Sequence, residues 1–293
     1  MTPDISICMV ALDCRNVIVD CLESIRASNP AVTHEIIVVD NGSKAGTVDL
    51  LRANYPEVRL IENGANVGFT KGTNQGIVAS AGKYLLWLNT DTILQPDSLL
   101  VLRDFLEAHP QAGIVGPKVL NADGSFQPQC KRGMPTPAAS FAYFTKISAL
   151  FPQDKTMGQY LLTYLPEDEA NEVTAVSGCC LMARREVWDA IGPLDENIFS
   201  YGEDIDWCVR ASKANWQVWY YPFSQIIHLK GKGGAHSKPY KKAWGMHNGM
   251  WVFYRKHLMQ NYSPITSAFV GMGIGLGFAT TCTKLALRQA IKN

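Results

Sequence analysis

The stretch Tyr84-Leu85-Leu86-Trp87-Leu88-Asn89-Thr90-Asp91-Thr92 constrains the fold of this chain more than any other. Its five consecutive large apolar residues, entered through Gly82-Lys83 and left through polar residues, keep no face for water. Such a run fits a strand buried on both sides, as in the middle of a parallel sheet. Asp91 falls just past its end. In open α/β sheets the ligand crevice lies outside the carboxyl ends of the strands, where a carboxylate can face a metal ion or a phosphate.

The residues before it repeat the pattern. Residues 5–12 read as a buried strand ending at Asp13, and 17–27 place apolar residues at helical spacing. A β-branched run over 35–39 stops at Asp40-Asn41-Gly42-Ser43, a turn by its Asn-Gly. Residues 48–53 read as a helix, 58–61 as a third strand, and 76–81 complete a helix leading into the Tyr84 strand. This alternation predicts an α/β fold, with a parallel sheet, helices on both faces and right-handed connections. Asp13, Asp40 and Asp91 then share one edge of that sheet. One acid after a strand is ordinarily a turn former; three in one α/β domain mark the edge as a site.

Between the third and fourth strands, Asn66-Val67-Gly68-Phe69-Thr70-Lys71-Gly72-Thr73-Asn74-Gln75-Gly76 spaces its glycines four apart. On a helix they line one face and let the backbone press against a neighbour or a ligand. Phosphate-loop patterns fail: Gly76 and Gly82 are separated by five residues instead of four, Tyr84 stands where Ser or Thr is needed, and no G-x-G-x-x-G follows the first strand. An ATPase or a dinucleotide-dependent dehydrogenase is thereby disfavoured.

Further on, a helix is expected over 97–108, a strand over 113–120 and a turn at Asn121-Ala122-Asp123-Gly124. Residues 128–171 mix Pro, Ala and Ser with six aromatic residues, Phe141, Tyr143, Phe144, Phe151, Tyr160 and Tyr164. Linkers lack so many aromatics, so this segment reads as a partly helical insertion, either a lid over the sheet or a substrate contact. A strand is expected over 172–182, a helix over 184–191 and a closing strand over 216–221, with His228 beyond Pro222. Phe199-Ser200-Tyr201-Gly202-Glu203-Asp204-Ile205-Asp206 puts three acids in the first turn of a helix, where they complement its dipole and Asp206 can pair with Arg210. The Glu-Asp pair, preceded by Gly and aromatics, is not explained by that alone.

All 26 acids lie before residue 207, while residues 207–293 carry 12 Lys/Arg and none. Such a block suits an anionic partner or forms a solvated basic face. Lys230, Lys232, Lys238, Lys241 and Lys242 cluster around Gly231-Lys232-Gly233-Gly234. The eight cysteines form no C-x-x-C pair and no secretory leader is visible, so reduced thiols in a cytoplasmic protein are expected, without zinc.

The series Val38-Val39-Asp40-Asn41-Gly42-Ser43, Asn66-Val67-Gly68-Phe69 with Gly72 and Asn74, Leu88-Asn89-Thr90-Asp91-Thr92, Tyr201-Gly202-Glu203-Asp204-Ile205-Asp206 and His228 resembles family 2 glycosyltransferases, inverting enzymes of the GT-A fold. Within that family the chain most resembles bacterial rhamnosyltransferase-like members, beside galactofuranosyltransferase-like ones. The resemblance implies a Rossmann-like, mostly parallel sheet over residues 1–257. A nucleotide-sugar-binding half (1–125) would precede an acceptor-binding half (126–257), and a helical tail (258–293) would follow.

It also implies roles. Asp40 would bind the base of a nucleotide sugar, dTDP-rhamnose or a UDP-sugar, with Leu12 and Asp13 lining the pocket. Asn66, Asn74 and Thr90 would lie near the ribose and diphosphate; Lys71 joins them as a cation in the glycine-rich turn. Asp91, last in a degenerate D-x-D, would hold Mg²⁺ or Mn²⁺ with His228. Asn89 stands at the first D-x-D position, which assigns it a hydrogen bond to the ribose or a sugar hydroxyl. Asp204 would be the general base, assisted by Glu203, acting on a hydroxyl of a lipid-linked or cell-envelope glycan.

Two other readings compete: a sugar-phosphate nucleotidyltransferase, which expects a basic glycine-rich signature that residues 5–16 lack, and a non-catalytic, membrane-bound nucleotide-sugar binder. From 258 to 283 no side chain is charged, and Lys284, Arg288 and Lys292 follow at helical spacing. Glycines at 271, 273, 275 and 277 weaken this tail as a span. A helix on the anionic inner face of the cell membrane is expected, ahead of a packed or dimerising helix or a true span. Nucleic acid is not an expected partner.

Overall fold

The computed structural model describes residues 2–231 and 239–292. Lys232 and Lys238 of the basic cluster lie outside these residues. The first half alternates as its hydrophobic pattern predicts: β1 (Ile5–Ala11), α1 (Arg15–Arg26), β2 (His34–Asp40), α2 (Thr47–Asn54), β3 (Val58–Glu62), α3 (Phe69–Val78) and β4 (Tyr84–Leu88). After these come β5 (Thr92–Leu94), α4 (Ser98–Ala108), β6 (Ala112–Leu120) and the short β7 (Lys131–Arg132). The aromatic insertion holds α5 (Pro137–Phe144) and α6 (Ile147–Leu150). It is followed by β8 (Asn171–Glu172), β9 (Ala175–Val176), β10 (Cys180–Arg184), α7 (Arg185–Ile191), α8 (Glu203–Lys213) and β11 (Gln217–His228). Two helices, α9 (Pro239–His257) and α10 (Pro264–Lys292), end the chain.

Nine strands form one sheet in the order β3-β2-β1-β4-β10-β6-β11-β5, with β8 beside β11. Strands β3, β2, β1 and β4 run parallel, and so do β6 and β11. Strand β10 enters antiparallel between β4 and β6. Every residue of β4 is buried, as its uninterrupted apolar run requires. Behind it Trp87 packs on Trp207 of α8 with ring centroids 5.0 Å apart.

Three elements differ from the sequence expectation. Helix α3 runs from Phe69 to Val78, so it ends short of Ala81, with Gly68 at its N-cap and Gly72 and Gly76 within it: a Cβ on Gly72 would stand 3.1 Å from Val10, and one on Gly76 3.2 Å from Cys8. The close approach is to strand β1, not to a ligand. The strand expected over 172–182 breaks at Ser177-Gly178-Cys179 into β9 and β10. Strand β11 does not stop before Pro222: a register shift between Tyr221 and Gln225 lets the ladder pass the missing proline N–H and run on to His228. The added length pairs with β5, which puts His228 opposite Thr92.

The tail is docked. Helix α9 is tied to α8 where His257 Nε2 and Lys256 Nζ reach Asp206 Oδ1 at 2.7 and 2.9 Å. Helix α10 runs back antiparallel along α9, with Tyr254 on Ser267, Trp251 against Gly271, His247 and Trp244 on Phe278 and Tyr240 on Gln289.

Candidate functional site

The carboxyl edge of β1, β2 and β4 gathers the predicted acids. Asp40 ends β2, and its Oδ2 accepts from the backbone N–H of Gly42 and Ser43, both at 2.9 Å. Its Oδ1 is buried and has no hydrogen-bond partner among the described residues. A buried carboxylate oxygen left open in this way calls for a donor from outside these residues. Asp13, past the end of β1 and preceded by half-buried Leu12, caps the same corner: Oδ1 accepts from Lys44 N and Ala45 N at 2.6 and 3.1 Å. One step along the edge, the Cys14 thiol is hydrogen-bonded to Thr90, although burial pushes it up to about 11.

At the end of β4 the geometry tightens. His228 Nε2 lies 3.3 Å from Asp91 Oδ1 and 3.5 Å from Asn89 Nδ2. Asp91 Oδ2 accepts from Gly231 N at 3.1 Å. Burial opposes charge on His228, but hydrogen bonds to Asp91 and Cys179 outweigh it and push the imidazole up to about 10. A cationic ring beside Asp91 marks a place that favours positive charge. An aspartate and an imidazole are suitable ligands for Mn²⁺ or Mg²⁺, and Asn89 supplies an amide beside them. No group of three or more metal-ligating side chains occurs among the described residues. Such a cation would therefore take its remaining ligands from phosphate oxygens and water, the usual arrangement for Mg²⁺.

The third group lies one loop away. Asn89 N donates to Cys179 O at 2.9 Å, and the adjacent Gly178 N donates to Asp204 Oδ2 at 2.8 Å. The break between β9 and β10 thus bridges the β4 edge to the first turn of α8. Asp204 is more enclosed than its expected role suggests. Arg132 of β7 pairs with it, Nη2 to Oδ2 at 2.6 Å and Nη1 to Oδ1 at 3.4 Å, and Ile205 N adds a bond to Oδ1 at 2.8 Å. With Gly178, these donors occupy the acceptor positions of the carboxylate. Glu203 has the reverse situation: its Oε2 is buried without a partner among the described residues. Burial, then the Asp204 charge, pushes it up to about 8.

The structure brings together Asn89, Asp91 and His228 directly, joins Asp13 and Asp40 at one corner, and links Thr90 to that corner and Asp204 to Asn89. Asn66 lies on the loop entering α3, its Oδ1 accepting from Gly68 N, and Lys71 is exposed on the first turn of that helix. Both ends of the Asn74 amide are taken up within the chain. It is buried, its Nδ2 donating to Leu194 O and Glu196 and its Oδ1 accepting from Leu194 N, so it ties α3 to the loop after α7. Two contributors escaped sequence reasoning, Arg132 and Gln127. Gln127 meets His228 through Oε1 at 3.3 Å from Nδ1. The one signal for the first is Lys131-Arg132 within an otherwise weakly charged segment.

Comparison with known proteins bears on the family and the fold. The family described as Glycosyl transferase family 2 matches residues 6–192. The N-acetylglucosaminyl-diphospho-decaprenol L-rhamnosyltransferase of Mycobacterium tuberculosis is 31% identical over 213 residues, covering 69% of this chain and 67% of that protein. A mannosyltransferase from Pyrobaculum calidifontis in complex with GDP-Man and Mn²⁺ superposes with a TM-score of 0.60 at 15% identity, over 99% of this chain and 76% of its own. The structure of GalNAc-T7 with UDP, GalNAc and Mn²⁺ gives 0.59 at 15% identity, over 86% of this chain; the match spans only 48% of that larger protein. The structural likeness establishes the fold as GT-A. On the family match and the mycobacterial relative together, the chain belongs to glycosyl transferase family 2.

Proposed function

We propose that this protein transfers a sugar, with inversion, from a nucleoside-diphosphate donor to a hydroxyl of a lipid-linked or cell-envelope glycan. The donor is dTDP-rhamnose or a UDP-sugar, and Mg²⁺ or Mn²⁺ is required. The observation that carries the reading is the meeting of Asp91 and His228 at 3.3 Å on the carboxyl edge of the sheet, next to a corner where Asp40 keeps an open, buried oxygen. Residues 1–125 hold the donor and 126–257 the acceptor.

Asp40 Oδ1 accepts from the base, in the pocket lined by Leu12 and Asp13. Asn66, Lys71 and Thr90 lie toward ribose and diphosphate, and Asn89 donates to a sugar or ribose hydroxyl. Asp91 and His228 would hold the cation, which would supply charge neutralisation for the departing diphosphate. The acceptor proton passes to the Glu203-Asp204 pair. In the state seen here the open oxygen belongs to Glu203, and Asp204 acts as the base once Arg132 gives way. A positioned base of this kind contributes about 10² to 10⁴ in rate. The exposed apolar helix α10 supports a peripheral location on the cytoplasmic face of the membrane.

Release of nucleoside diphosphate from a panel of nucleotide sugars, with Mn²⁺ and a prenyl-diphosphate glycan acceptor, tests the reading. Turnover should need both acceptor and metal and should vanish in Asp91→Asn. Asp204→Asn should retain less than about a tenth of the activity, in line with the loss of a general base. Acceptor-independent release, or full activity in EDTA, would overturn it.

A further inference from the structure

We infer that Gln127 is a positioning residue that fixes the tautomer of His228, so that Nε2 is the nitrogen offered beside Asp91. The inference rests on the reading of Asp91 and His228 as a cation site, and its observations are the contacts that Gln127 makes with His228.

Gln127 follows the turn that closes β6. Its backbone N–H donates to Val119 O at 2.8 Å, and its side chain is buried. Amide oxygen and nitrogen can be told apart only by their partners, and here the partners decide. Nε2 lies 2.8 Å from the carbonyl oxygen of His228 and 3.3 Å from that of Leu120. Carbonyls only accept, so that end of the amide must be the NH₂. The other end is then the oxygen, 3.3 Å from His228 Nδ1. An amide oxygen offers no hydrogen, so Nδ1 must carry one. Whatever the charge of the ring, a hydrogen is held at Nδ1, and the nitrogen able to become a bare lone pair is Nε2, the one facing Asp91 and Asn89.

Gln127 grips its neighbour twice, on the main-chain carbonyl and on the ring, so position and tautomer of His228 are set by one side chain. Where an imidazole binds a metal, the partner of its other nitrogen orients the ring and raises its basicity, and losing that partner costs about 10-fold to 100-fold in affinity.

The test uses full-length protein and MnCl₂ alone, with free Mn²⁺ read by electron paramagnetic resonance. Gln127→Met removes both grips. Gln127→Glu keeps the acceptor at Nδ1 but loses the donor to the two carbonyls, which separates tautomer control from anchoring. Gln127→Met should weaken Mn²⁺ binding by about 10-fold to 100-fold, and Gln127→Glu should stay within about threefold of the parent on the same principle. If Gln127→Met does not fold, the glutamate variant decides alone. A glutamate variant that loses affinity as far as a folded Gln127→Met, or falls tenfold by itself, overturns the role of Gln127. Equal Mn²⁺ affinity of the parent and Gln127→Met does the same. A parent protein that binds no Mn²⁺, or binds it unchanged in Asp91→Asn, overturns the inference together with the cation site beneath it.

Discussion

Arg132 and Asp204 are each less than a tenth exposed and face one another at 2.6 Å. A buried pair of this kind adds little net stability, but removing one partner strands the other charge and costs about 3–5 kcal/mol. Arg132→Met should therefore lower unfolding stability in urea by about that much, and the double variant with Asp204→Asn should lose less than the sum, by about 0.5–3 kcal/mol. Additive losses would show that the pair does not exist in solution. Glu203 makes a separate claim. Its folded pKa, about 8, lies above the ordinary glutamate value of 4.5, so the native state holds a proton that the unfolded chain releases. The stability linked to that proton is complete below pH 4.5 and is lost as pH rises through 8. Glu203→Gln cannot ionise, so its melting temperature should gain on the parent from pH 5 to 9; a constant difference would refute the shift. At this scale Asp13, Asp40 and Asp91 were legible because each stands where an apolar run stops, and Glu203-Asp204 because the pair opens a helix after Tyr201-Gly202. Arg132 and Gln127 were not, because their partners stand 72 and 101 positions away and no local pattern connects them.

Helix α3 shows how an element can be required by its contacts more than by its composition. Two glycines within ten residues, and a third at the N-cap, would discourage any isolated helix, yet β1 leaves little room for larger side chains along one face. Gly72→Val should push α3 off Val10 and cost about 1–3 kcal/mol by overpacking, measured as a lower urea midpoint with unchanged slope. A neutral result would mean that the helix sits farther from the sheet. The strands β1, β2 and β4 were readable since burial on both faces writes a continuous apolar run. Strand β5 has only three residues and carries too little pattern to be seen, and β11 was readable only up to Tyr221, because the proline at 222 hides its continuation. The break at Ser177-Gly178-Cys179 is invisible for another reason: Gly178 N serves Asp204 and Cys179 O serves Asn89 there, so the ladder yields to the site.

Across the whole molecule, the acid-free block from residue 207 onward coincides with the elements farthest along the chain from the donor corner: most of α8, β11 and the α9–α10 pair. Helix α10 is long and apolar enough to cross a membrane, and none of its most apolar window is buried. Ile265, Phe269, Met272 and Leu276 are exposed at spacings of four, three and four, one stripe along the helix. The opposite side of α10 is occupied, since Ser267, Gly271 and Phe278 face α9. A helix already committed along one side, with an apolar stripe on the other and Lys284 and Arg288 exposed near its end, suits insertion parallel to an anionic bilayer surface. Each apolar side chain withdrawn from water contributes about 1.5–3 kcal/mol, and each basic residue near the surface about 1 kcal/mol. Full-length protein should float with vesicles containing phosphatidylglycerol, and less so with pure phosphatidylcholine. Phe269→Glu with Leu276→Glu should reduce binding to the anionic vesicles more than tenfold while the melting temperature stays close to that of the parent, because neither side chain packs against the domain. Raising salt should weaken the parent only partly, by screening the basic residues and leaving the apolar stripe in place. Undiminished flotation of the double variant would remove α10 from the membrane contact and leave the stripe to another partner.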